Sequence, residues 1–122
     1  MTDVYTQHEA AFSQVSSYAI LKGSEHVAKV AFKFPRDGAG LLTAYVHWIG
    51  TEMVRGSATG YGYDKRTAAV AAATAPALKR ISNNGGAMNA GEPAFWHALQ
   101  RDAGPTWNNA LRDAGFTVFQ TV

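Results

Sequence analysis

The chain has 122 residues, 47% of them hydrophobic and 16% charged, with a formal net charge of +2 and no cysteine. That composition belongs to a globular domain and not to a disordered tail, and it excludes disulfides, thiolate metal sites and cysteine nucleophiles. The length suits one domain over residues 1–122, with residues 1–12 as a loosely held N-terminal segment; such a domain buries roughly two thirds of the surface its unfolded form exposes.

Residues 13–82 carry net positive charge, and the two flanking segments carry net negative charge. The basic excess is thinner than the stripe of a nucleic-acid module, because each phosphate contact needs its own cation. The N-terminus lacks the basic start and apolar run of a signal peptide, and no apolar stretch nears the ~20 residues of a membrane span. The expectation is a cytoplasmic protein with no membrane partner.

Residues 15–22 have β character, and Gly23-Ser24-Glu25 joins them to the clearest strand, residues 26–34. There Ala28, Val30, Phe32 and Phe34 alternate with Val27, Lys29, Ala31 and Lys33, the period of two that a half-buried strand requires. A turn at residues 35–40 returns the chain along residues 41–49, with Leu42, Ala44, Val46 and Trp48 as its apolar set. Residues 51–59 make a small, polar fourth strand. These segments predict an antiparallel meander with one solvated face.

The helical half begins at Asp64, whose carboxylate is placed to cap a helix over residues 65–81. Its sides are mostly alanine, which lets it lie close to the sheet. Pro76 removes an amide donor and clashes with the preceding turn, so a kink or break is expected near residues 74–76, with Thr74 recapping a second segment. Residues 82–86 form a loop. Glu92-Pro93 then opens a helix to Asp102, and Pro105 restarts a short one that stops at Gly115. Arg-Asp-Ala-Gly stands at both of these helix ends, residues 101–104 and 112–115.

In residues 116–122, Phe116, Val118, Gln120 and Val122 share one face and Thr117, Phe119 and Thr121 the other, a final strand that is either an edge or covered on both sides. The predicted fold class is α+β: an antiparallel sheet of three to four strands plus a C-terminal strand, packed on one face by two to three helices.

The stretch GSATGYGYDKRT, residues 56–67, has the composition of a phosphate loop. Its spacing is wrong. A P-loop needs a lysine directly after its last glycine, whereas Gly62 is followed by Tyr63 and Asp64, and Asp64 puts negative charge where the phosphate would sit. The dinucleotide pattern fails too, because Lys65 stands in place of the third glycine. The residues read as a glycine corner between strand and helix, with Tyr61 and Tyr63 packing across it. Nucleotide or small-ligand binding at this corner is the weakest of three functional readings.

His8, His26, His47 and His97 are scattered without metal-ligand spacing. Glu92 and Asp102 lie ten residues apart and do not share a helix face. No G-x-S-x-G element is present. No catalytic set, metal site or cofactor is expected. On the solvated sheet face, a register that keeps both apolar sets inward puts Lys29 opposite His47 and Lys33 opposite Thr43, with Tyr45 between. Basic groups around an aromatic ring suit single-stranded nucleic acid, and Lys65, Arg66, Lys79 and Arg80 add cations at the helix ends. Phe95 and Trp96 are adjacent and cannot face the same way. Either one is an exposed partner anchor, or both are buried between helix and sheet.

The GYGYDK turn and the alanine-rich helix after it, residues 56–73, resemble a strand-to-helix element of small uncharacterised proteins of phages and mobile genetic elements, and residues 110–122 are similar as well. The resemblance implies an origin, and with it action by binding a host protein, including inhibition of a bacterial defence system in the manner of anti-CRISPR proteins. The leading expectation is therefore a non-enzymatic protein-binding protein, monomeric or homodimeric. The alternatives are a nucleic-acid module and a ligand binder at the glycine corner.

Overall fold

The alternation of apolar and polar side chains between residues 15 and 48 folds as period two demands. A computed structural model describes residues 15–33, 41–58, 64–83, 91–101 and 106–121. In it, β1 (Val15–Lys22), β2 (Glu25–Lys33) and β3 (Leu42–Trp48) form an antiparallel meander. The polar fourth strand, β4 (Val54–Ala58), pairs with β3. The C-terminal strand, β5 (Phe116–Gln120), returns to pair with β1, so the five-stranded order is β4-β3-β2-β1-β5. β5 is thus an edge strand.

The register places Lys29 opposite His47 and Lys33 opposite Thr43, as the apolar sets require. Val27 is the exception to the alternation. Ile20 faces Ala28 while Leu21 faces His26, which leaves Val27 as the extra residue of a bulge. Val27 joins Ala28 in the core instead of lying on the solvated face.

Three helices, α1 (Asp64–Asn83), α2 (Glu92–Arg101) and α3 (Asn109–Asp113), share one core with a single face of the sheet. That core holds Ile20, Val30, Phe32, Leu42, Val46 and Trp48 from the strands against Val70, Phe95, Leu99 and Leu111 from the helices. The architecture is the expected α+β sheet with helices on one side.

α1 runs through Pro76 as one element, not two. Pro76 lies on the exposed side of the helix, so its ring does not disturb the packing against the sheet. Thr74 does not cap a second segment; it is buried and its hydroxyl donates to the Ala71 carbonyl at 2.8 Å. The expected turn at residues 35–40, the side-chain cap at Asp64 and residues 1–12 lie outside what the structure describes.

α1 meets β4 without a layer of side chains between them. A Cβ built on Gly56 would lie 2.7 Å from the Ala69 carbonyl oxygen and 2.5 Å from the Ala72 carbonyl carbon, and would overlap the Ala73 amide nitrogen. Ala69 and Ala73 present the smallest side chains to this contact and are fully buried.

Gly56→Ala is expected to lower the unfolding free energy in urea by about 3 kcal/mol through overpacking. Gly50→Ala is the control: its φ is 94° but nothing lies within 4 Å, so it should cost about 1 kcal/mol from backbone strain alone.

Candidate functional site

The second face of the sheet is less open than its sequence suggests. Tyr45 is 5% exposed and His47 8%, and Tyr45 packs with Ala31 and Met53 in a small cluster of its own. Alternation determines the side to which a residue points, not whether that side is covered. Lys33 is exposed and Lys29 partly so, but the ring between them is not available for a base to stack on. His47 turns along the sheet instead: its Nε2 donates to the Thr51 carbonyl at 2.9 Å, in the turn where the Thr51 hydroxyl donates to the Trp48 carbonyl. Its Nδ1 is buried without a hydrogen-bond partner.

The helix-end cations do not converge. Lys65 and Arg66 lie near the start of α1 and Lys79 and Arg80 near its end, about 20 Å apart along the helix axis. Lys79 is exposed. Arg80 is not a free contact residue: its Nη2 donates to the Glu92 Oε1 at 2.8 Å. The same oxygen accepts from the Trp96 indole at 3.1 Å. Glu92, 1% exposed, is therefore a clip between α1 and α2, and the Arg80 side chain, 38% exposed, leads the ion pair out to solvent.

The clip also explains how two adjacent rings both bury. Phe95 faces the sheet, 5.4 Å from Trp48 and 5.9 Å from Phe116 between ring centres. Trp96 turns to the carboxylate that holds α1. Neither ring is a surface anchor. Tyr61 and Tyr63 lie outside the described residues. His26 bonds the Ala28 carbonyl, His97 is exposed, and no described group of three or more His, Cys, Asp or Glu is placed to hold a metal ion. Among the described residues no helix is long and apolar enough to cross a membrane.

Sequence reasoning missed a cleft of about 340 Å³ at the other end of the helix-bearing face. Its walls include Tyr18 and Gln120, which face each other across β1 and β5, Arg66 from the first turn of α1, Trp107 and Asn108 before α3, and Arg112 in the last turn of α3. Tyr18, Phe32 and Trp107 meet edge to face, with ring centres 4.9 to 6.1 Å apart. The Arg66 guanidinium lies 5.5 Å from the centre of the Phe32 ring, a cation–π contact. None of the described lining residues is acidic. Its members come from residues 18 to 120, and no local motif joins them. The one early signal was Arg66 beside the glycine corner.

Fold and site together define a small antiparallel α+β protein with an aromatic-walled cleft, lined by Arg66 and Arg112, beside its C-terminal edge strand. Comparison with protein-family models, curated proteins and solved structures returns no match to this chain.

Glu92→Ala should reduce stability by about 2 kcal/mol, because it strands the Trp96 indole donor in the core and unpairs Arg80. Trp96→Phe, which removes one donor and keeps the carboxylate–guanidinium pair, should cost less. Paired urea titrations read both effects.

Proposed function

We propose that this is a non-enzymatic binding protein of the phage or mobile-element type, acting by docking on a protein of its bacterial host, and that inhibition of a host defence complex is the setting. The observation that carries the docking reading is Phe119. It lies on the outermost strand, β5, opposite Ala19, and is 54% exposed.

Edge strands are ordinarily blunted by charge, proline or a covering element, because their free backbone groups pair with other chains. β5 reads FTVFQ, with no charged residue and no proline. Among the described residues nothing pairs with its outer side. A partner strand added there would gain backbone hydrogen bonds, and the Phe119 ring supplies an aromatic anchor of the kind that dominates interface energies. Leu41 and Ile49, the other exposed large apolar residues among those described, lie beyond opposite ends of β3 and do not extend this surface. The buried Tyr45 ring weighs against the nucleic-acid reading, which needs it for stacking.

A photo-crosslinking residue at position 119 should capture a protein in bacterial lysate, while the same residue at the exposed position 97 on α2 should not. Unlabelled protein should compete and Phe119→Lys should not, although this exposed change should leave stability within about 0.5 kcal/mol. Equal capture at both positions, or adducts removed by nuclease, would contradict the reading.

A further inference from the structure

We propose that the face of the sheet opposite the helices is an interaction surface for an acidic, aromatic-bearing segment, and that its occupant is the chain's own N-terminal stretch, residues 1–12. This is separate from docking at the outer side of β5 and does not rest on it.

The middle of this face is buried although no described helix lies over it. Ser17, Ala31 and Tyr45 stand side by side across β1, β2 and β3; Ser17 is wholly buried and the other two nearly so. All three described helices pack on the other face. Ser17 has Ala31 beside it and Ala19 next on its own side of β1, and neither is long enough to roof a neighbour. The row is therefore buried by chain lying above it, and the structure holds a single chain, so the cover comes from within. Topology selects which part. Residues 59–63, 84–90 and 102–105 lead to or between helices of the opposite face, and residues 34–40 join two neighbouring strands. Residues 1–14 lead only into β1, which they enter at Val15, opposite Lys33. Reaching β3 from there takes about 10 Å, two strand spacings, and twelve residues cover about 18 Å even at the rise of a helix.

Charge and composition agree with that occupant. Every Asp, Glu, Lys or Arg that the described strands turn to this face is basic, namely Lys29, Lys33 and Arg55. Residues 1–12 hold Asp3 and Glu9 and no lysine or arginine, together with Val4, Tyr5 and Phe12. Lys33 and Arg55 are exposed around the cluster of Ala31, Tyr45 and Met53, so an apolar centre is rimmed by cations, as in a protein interface. The segment brings apolar groups for the centre and carboxylates for the rim. Phe119 turns to the same face and is exposed, so the cover stops short of β5 and leaves the docking edge open.

The test uses the full chain. Nuclear Overhauser cross-peaks from the Tyr5 or Phe12 ring to the Tyr45 ring or the Met53 methyl group are expected. Tyrosine nitration, mapped residue by residue by mass spectrometry, is the second readout. Asp3→Lys combined with Glu9→Lys should speed nitration of Tyr45 about fivefold, the worth of two rim ion pairs. Tyr18, on the helix-bearing face, should react at its original rate, and unchanged Trp48 and Trp96 indole signals show that the fold is kept. If the double variant unfolds, the cross-peaks of the unaltered chain decide alone. The proposal is overturned if residues 1–12 give no cross-peak to this face, if residues 34–40 give the cross-peaks instead, or if a folded double variant is nitrated at Tyr45 no faster than the unaltered chain.

Discussion

The contact between α1 and β4 is one between two backbones, where the helix rests on Gly56 with only hydrogen between it and the strand. An alanine-faced helix buries little apolar area per residue, so it is held well only if it approaches closely enough for dispersion contacts to accumulate over its whole face. Gly56 makes that approach possible, and Ala69, Ala73 and Ala77 exploit it. Much else follows from this seating. The helix that rests on β4 and β3 carries Arg66 at one end and Arg80 at the other, and each arginine enters a different aromatic assembly.

Those assemblies divide the core into two ends. At one end Trp48, Phe95, Phe116 and Trp96 pack in a chain of ring contacts, and the buried Glu92 carboxylate ties Trp96 and Arg80 together. Its polar atoms are largely consumed by structure. At the other end Tyr18, Phe32 and Trp107 form a second cluster, and there the surface opens into a cleft that Arg66 and Arg112 line.

Much of the fold was legible because strands announce themselves by a period of two. The bounds of β1, the pairing of Lys29 with His47 and of Lys33 with Thr43, and the helices on one face all follow from local alternation and turn chemistry. Val27 escaped because a bulge breaks that alternation without a glycine to mark it. Pro76 suggested a break, but the helix carries it on its exposed side without ending. The burial of Tyr45 and His47 and the return of β5 to β1 are tertiary facts that neighbouring residues do not encode. For the same reason the cleft was invisible: Tyr18, Arg66 and Arg112 become neighbours only after β5 has closed onto β1 and α1 has settled on Gly56.

The seating of α1 is the claim on which fold and cleft jointly depend. A nuclear Overhauser spectrum of the labelled protein in solution measures it most directly. Strong cross-peaks from the Gly56 α-protons to protons of Ala69 and Ala73, together with contacts from the Arg66 side chain to the Phe32 ring, are the predicted result. A spectrum in which Gly56 shows only cross-strand contacts to Ala44, with none to α1, would contradict the account.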